Sequence, residues 1–222
     1  MSPETYADLP DYREYPEEEM QTRAAAYYAD MNRRRTVREF SDRPVPEDVI
    51  ENCIRAAATA PSGANQQPWT FVAVSDPGIK RQVRKAAEKV EQKFYAGAAT
   101  QKWVKALSSL DTHASKPFLE TAPYLIAIFA QQYGLAPDGS KIKHYYVQES
   151  VGIATGLLVS AIHNAGLVSL TYTPANMAFL NRVLGRPENE KPFLILVTGY
   201  PAPEAKLPDI KRKQMREVAT FI

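Results

Sequence analysis

The spacing of apolar residues along this chain changes several times, and each change marks an element. From Glu17 to Met31 the positions Met20, Ala24, Tyr27, Tyr28 and Met31 recur at helical spacing. Pro46 stands where a helix can begin, and Val49, Ile50, Cys53, Ile54 and Ala57 then share one face. Pro61-Ser62-Gly63 ends that helix, and Trp69 to Val74 reads as a short strand. Pro77 opens a long polar helix predicted to run past Tyr95 toward Leu110. Ala122 to Ala130 is apolar at nearly every position, the signature of a strand buried on both faces. His144 to Ala165 reads as a helix closed by Gly166. Val168–Thr173 and Phe193–Thr198 read as two further strands, with a short helix over Asn176–Leu184 between them. The chain from Pro201 reads as extended. Residues 1–16 hold three prolines and no periodicity, so they read as an arm. Helices first, then helices alternating with strands, predict an α/β or α+β fold with one mixed sheet. The Pro- and Gly-rich stretches 132–140 and 200–209 are loop-sized, so residues 17–222 are expected to form one domain.

Between Ser150 and Asn181 there is no Asp, Glu, Lys or Arg, which raises the question of a membrane span. Thr155, Ser160, His163, Asn164 and Gly166 interrupt any run of about 20 apolar residues, and Pro174 follows. The Gly152-xxx-Gly156 pair suits close helix packing. This stretch is therefore expected to be a largely buried helix packed against a partner subunit, with no membrane partner.

Charge and composition narrow the classes. The 222 residues carry 27 Lys plus Arg and 25 Asp plus Glu, a net charge of +2, which disfavours nucleic acid as a partner. The single Cys53 rules out an internal disulfide and a Cys-rich metal site, and suits a cytoplasmic chain. His113, His144 and His163 lie far apart, so no metal site is expected. A Rossmann fingerprint, a Walker-type phosphate loop and a Gly-x-Ser-x-Gly elbow are all absent. Cys53 on an apolar helix face is expected to be inert packing, and His163 to be a core histidine.

Two stretches carry chemistry. In an extended segment alternate residues point the same way, so Arg34, Thr36 and Arg38 can face one ligand. Two guanidinium groups and a hydroxyl suit a phosphate plus the polar edge of a heterocycle, although a solvated basic stretch reads the same way. Lys211-Arg212-Lys213 is a second basic group. The small-residue loop Pro61-Ser-Gly-Ala-Asn-Gln-Gln-Pro-Trp69 can offer backbone N–H groups and hydroxyls to a ligand. Arg-x-Thr-x-Arg-x-Phe followed by Pro-Ser-x-x-Asn-x-Gln-Pro-Trp resembles the nitroreductase-type flavoprotein superfamily. The resemblance runs from about residue 20 to the end of the chain. It implies an α+β fold, with a central mixed but mainly antiparallel sheet flanked by helices. It also implies an intertwined homodimer holding FMN at the subunit interface. Cofactor-binding residues implied are Arg34, Arg35, Thr36, Arg38, Ser62 and Arg212. Of these, Arg34, Thr36 and Arg212 would serve the phosphate and ribityl chain, Arg38 the flavin N1/O2 edge, where a cation stabilises the reduced anion.

Ala60-Pro-Ser-Gly-Ala64, Lys143-His-Tyr-Tyr146, Asn164-Ala-Gly-Leu-Val168, Thr171-Tyr-Thr-Pro174, Leu184-Gly-Arg-Pro187 and Pro208-Asp-Ile-Lys-Arg-Lys213 resemble the iodotyrosine deiodinase family. Animal members carry an N-terminal membrane anchor, so this chain is expected to be a soluble, bacterial relative. Glu91 and Tyr95 are four residues apart and share one helix face. A carboxylate can bind an α-ammonium, and Tyr95 with Lys116 can bind an α-carboxylate. Read from composition, Glu91 is one of several charges on a solvated helix, beside Glu88, Lys89 and Lys93. The resemblance implies instead that Glu91, Tyr95 and Lys116 clamp a halotyrosine zwitterion in a lid at about 85–118. It also places Thr173 beside flavin N5 and the Ala64 N–H on the substrate phenolate. The implied activity is FMN-dependent reductive dehalogenation of halotyrosines by stepwise one-electron transfer, fed by an unidentified reductase. The alternatives are a general NAD(P)H-dependent nitroreductase, which would not need Glu91, Tyr95 and Lys116, and a non-catalytic flavin- or amino-acid-binding protein.

Overall fold

A computed structural model describes residue 9 and residues 11–98 and 113–222. The expected continuation of the long helix toward Leu110, the middle of the expected lid and most of the N-terminal arm lie outside the described residues. The chain forms two compact units, Met1–Arg34 and Arg35–Ile222.

Within the first unit, helix α1 (Glu17–Arg33) begins after Pro16 with Glu17, Glu18 and Glu19 in its first turn, where the helix dipole favours negative charge. Arg23 pairs with Glu19 one turn back. The backbone turns extended at Arg34, which ends the helix.

The second unit holds α2 (Glu47–Ala58), β1 (Trp69–Val74), α3 (Pro77–Lys93), α4 (Phe118–Thr121), β2 (Tyr124–Gln131), the hairpin β3 (Tyr133–Leu135) and β4 (Lys141–Lys143), α5 (Val147–Asn164), β5 (Val168–Tyr172), α6 (Phe179–Val183), β6 (Glu190–Gly199) and α7 (Met215–Val218). The main sheet has the order β1-β2-β6-β5, with every named pair antiparallel. Thr36 adds an isolated parallel bridge to Ser169 on the free edge of β5. The fold is thus α+β with a mainly antiparallel sheet, as the family resemblance implies.

Helices cover both faces of the sheet, which explains the unbroken apolar run of β2. Ile126, Ile128 and Ala130 face one core with Ile50, Cys53 and Ala57 of α2 and Val151, Ala154, Leu158 and Ile162 of α5. Leu125, Ala127 and Phe129 face the other, with Val83 and Ala87 of α3, Leu119, Leu170 and Tyr172. Cys53 is buried, as its helix face predicts. Asp76 caps α3 by accepting from the Ile79 N–H.

Two boundaries differ from the sequence reading for physical reasons, while the Gly166 closure agrees with it. α5 starts at Val147 rather than His144, because His144 Nδ1 donates to the Gln131 carbonyl and the Tyr145 N–H donates to Gln66. α5 closes with Gly166 at φ +78°, the Gly166 N–H on His163 and the Leu167 N–H on Ile162, a Schellman ending. The stretch 132–140, expected to be a loop, contains β3 and the turn that leads into β4. Among the described residues no helix is long and apolar enough to cross a membrane.

Candidate active site

The segment 35–41 is built into the sheet by its backbone. The Val37 N–H donates to the Ser169 carbonyl, and the Ser41 N–H to that of Tyr200. Val37 is buried, while Thr36 and Arg38 on either side of it are half-buried; Phe40, further on, is buried as well. The parallel direction carries Arg38 toward the end of β5 that bears Tyr172 and Thr173. Arg34 ends the first unit, with extended backbone. Arg35 donates to the Pro208 carbonyl at 2.7 Å, tying down the tail four residues before the exposed Arg212. Arg35 therefore ties down the segment that leads to the second basic group.

The loop after α2 is conformationally strained. Ala64, Asn65 and Gln67 have φ of 50°, 52° and 47°, a left-handed conformation that costs a non-glycine residue about 1 kcal/mol or more. Its neighbours hold it there. Ser62 Oγ accepts from the Gln67 N–H at 2.9 Å. The Gln66 side chain acts as a missing peptide, donating to the Lys143 carbonyl and accepting from the Tyr145 N–H, both at 2.8 Å. At Gly63 a Cβ would stand 2.8 Å from the Tyr145 carbonyl oxygen, so only glycine fits. Ser62 and Ala64 thus sit on a loop clamped to the start of α5. The sequence reading missed Gln66, because nothing in its local pattern shows a partner 77 residues away.

α3 carries a buried stripe of Lys80, Val83, Ala87 and Glu91, while Lys89 and Lys93 are exposed. Glu91 is therefore the inward end of an amphipathic helix and not a solvated charge. Lys116, buried just before α4, has its Nζ 3.9 Å from Glu91 Oε2. Lys116 Nζ also donates to the His113 carbonyl. Tyr172, on the α3 side of β5, donates its hydroxyl to Glu91 Oε1 at 3.1 Å. The Phe118 ring meets the Tyr172 ring edge-on at 5.6 Å. Tyr95 lies half-buried in a π-turn (Phe94–Ala98) that continues α3. Thr173 follows Tyr172 and is exposed.

Electrostatics ties these groups together. Burial pushes the Lys116 ammonium below the usual lysine range; Glu91 opposes the shift and the nearby Arg38 guanidinium adds to it. Burial and the Glu91 charge both hold the Tyr172 phenol far above its ordinary value, with a smaller contribution from Tyr95. Burial works to raise the Glu88 carboxyl, but the Lys116 N–H, Arg84 and Ser115 outweigh it and hold it low. The structure thus gathers Arg38, Glu91, Tyr95 and Lys116, and adds Tyr172 and Glu88, which the sequence reading did not single out. A hydroxyl at the end of the apolar face of β5 was the available signal for Tyr172.

A donor set at the edge of a sheet, a strained small-residue loop and a buried pair of opposite charges thus lie on one α+β scaffold. The chain belongs to the nitroreductase family, whose pattern matches residues 31–200. Its relatives place it more narrowly, among the iodotyrosine deiodinases. It is 55% identical to an iodotyrosine deiodinase of Haliscomenobacter hydrossis, over 92% of each chain. It is 46% identical to human iodotyrosine deiodinase 1, over 95% of this chain and 73% of the human one. A crystal structure of oxidized iodotyrosine deiodinase bound to FMN and 3-iodo-L-tyrosine superposes with a TM-score of 0.75 at 30% identity. That match covers 88% of this chain and all of the other.

Proposed function

We propose that this protein catalyses the FMN-dependent reductive deiodination of 3-iodotyrosine, and of related mono- and dihalotyrosines, to tyrosine and halide. Replacing the carbon–halogen bond by carbon–hydrogen consumes two electrons and one proton and releases the halide. FMN, when bound, supplies those electrons one at a time, recharged by a separate reductase.

The residues present fit that cofactor. Thr36 and Arg38 offer a hydroxyl and a guanidinium from one side of a sheet edge, and Thr173 offers an exposed hydroxyl at the end of the adjoining strand. Arg38 is assigned to the flavin N1/O2 edge, and Arg212 to the phosphate. Ser62 is assigned to the cofactor side of the 61–68 loop.

The observation that carries the substrate reading is the buried Glu91–Lys116 pair. Opposite charges removed from water are costly, and a free amino-acid head group needs both signs within a few ångströms. Glu91 is assigned to the α-ammonium, and Lys116 with Tyr95 to the α-carboxylate. The zwitterion then replaces one buried ion pair by two, so little net charge is desolvated. The Ala64 N–H is assigned to the phenolate. An ortho-halogen lowers the phenol pKa below its usual value of about 10, which favours the anion.

A second copy of the chain is assigned to the outer face of α5. Gly152, Ile153, Gly156 and Leu157 are exposed there on a helix with no Asp, Glu, Lys or Arg after Glu149, and a Cβ on either glycine would meet nothing within 4 Å. Such a face suits close helix–helix contact across a two-fold axis.

Anaerobic incubation of the dithionite-reduced holoprotein with 3-iodotyrosine tests the activity. Stoichiometric iodide and tyrosine are expected. Reoxidation by nitroaromatics but no iodide would overturn the reading.

A further inference from the structure

We propose that Tyr172 is a positioning residue for substrate recognition: its hydroxyl fixes one oxygen of Glu91 so that the other is presented to an α-ammonium group. The proposal rests on the reading of Glu91 and Lys116 as the substrate clamp.

The two carboxylate oxygens of Glu91 are divided between partners. Oε1 accepts from the Tyr172 hydroxyl at 3.1 Å. Oε2 faces Lys116 at 3.9 Å, beyond hydrogen-bond range, while the Lys116 ammonium donates to the His113 carbonyl instead. Oε2 and Lys116 thus attract each other without a hydrogen bond to break. A substrate ammonium can approach Oε2 as the substrate carboxylate engages Lys116, and the bond to Oε1 remains.

Tyr172 is suited to this task. It is 8% exposed, and the Phe118 ring packs edge-on against it. Its position comes from the paired β5 backbone, where it registers with Ile195 of β6. The phenol keeps its proton across the working pH range, because burial and the Glu91 charge both oppose ionisation. It is therefore a constant donor. A glutamate side chain held in advance loses less freedom on binding than one that must be ordered by the ligand. The gain falls only on ligands that carry an ammonium group, so Tyr172 acts on selectivity between halotyrosines and bare halophenols.

The test uses the FMN-loaded full chain and equilibrium titration of the flavin signal with 3-iodotyrosine and with 2-iodophenol, which lacks the amino-acid head. Tyr172→Phe keeps the ring and removes only the hydroxyl. We expect the Kd for 3-iodotyrosine to rise about tenfold, the loss of one hydrogen bond to a charged group. The Kd for 2-iodophenol should change by less than about twofold, and adding Tyr172→Phe to Glu91→Gln should likewise cost under about twofold. An equal loss for both ligands, an undiminished effect in the Glu91→Gln background, or loss of FMN from Tyr172→Phe would each overturn the proposal. If Glu91→Gln weakens 3-iodotyrosine binding and Tyr172→Phe does not, only the role of Tyr172 fails. If Glu91→Gln itself has no effect, the clamp reading fails with it.

Discussion

The Lys116 ammonium lies 3.9 Å from Glu91 Oε2 in an ion pair sealed from solvent, the two side chains only 6% and 9% exposed. Removing one member leaves the other charge buried alone. Lys116→Met should therefore cost about 3–5 kcal/mol of stability, read by denaturant unfolding. The double variant Lys116→Met/Glu91→Gln should recover much of that loss, because both members are then neutral. A double variant no more stable than the single one would show that packing, not charge, makes Lys116 necessary.

The strained loop at 61–68 should depend on Gln66. Gln66→Ala deletes one donor and one acceptor to the 143–145 backbone, so a loss of about 2 kcal/mol is expected, roughly 1 per bond. Because Ala64 would relax with the loop, 2-iodophenol and 3-iodotyrosine should both bind more weakly. That common loss differs from the ammonium-selective loss expected at Tyr172. Stability and both dissociation constants unchanged would show that the loop holds its shape without Gln66.

The acid side of the stability profile should contain Glu190. This buried carboxylate accepts from Arg186 Nε and Nη2 at 2.7 and 2.8 Å and from Thr70 at 2.7 Å. Burial works to raise its pKa, but these bonds prevail and hold it below the usual 4.5. Its contribution is thus present above the unfolded value and is lost as pH falls through the lower, folded one. Glu190→Gln should lose about 2 kcal/mol at pH 7. Its stability should fall less steeply than the parent's below about pH 4.5, because the variant has no carboxylate to protonate there. Parallel acid limbs in urea titrations at several pH values would argue against this.

The outer face of α5 offers a test of assembly. Gly156→Arg meets no atom of its own protomer at the Cβ, so helix content by circular dichroism should be retained. A second α5 packed against Gly156 would leave no room for the guanidinium. The expected result is a monomeric mass by light scattering, with weakened FMN retention. A dimeric mass would place the interface elsewhere.

Much of the fold was legible because its elements are long and their environments simple. Trp69–Val74 is a strand with the bounds its β-rich composition predicts. The apolar run of β2 was readable as a doubly covered strand, since side chains alternate between two cores. The β3–β4 hairpin was not readable, because strands of three residues are too short to show a period. α7 was missed because its capping box uses Gln214 in place of the usual Ser or Thr.

The sequence by itself determined the order of helices and strands, the small-residue loop with its following Pro-Trp, and the alternation of Thr36 and Arg38. These depend on neighbours in the chain, and backbone geometry fixes where neighbours point. Tertiary structure decided which charges are buried and what they meet. Glu91 sits beside Glu88, Lys89 and Lys93, and nothing local separates it from a solvated helix face. Only the packing of α3 on the sheet, with Tyr172 arriving from 81 residues away, turns it into an oriented carboxylate. Desolvation and pairing depend on proximity in space, and that is created when the helix and the strand share one core.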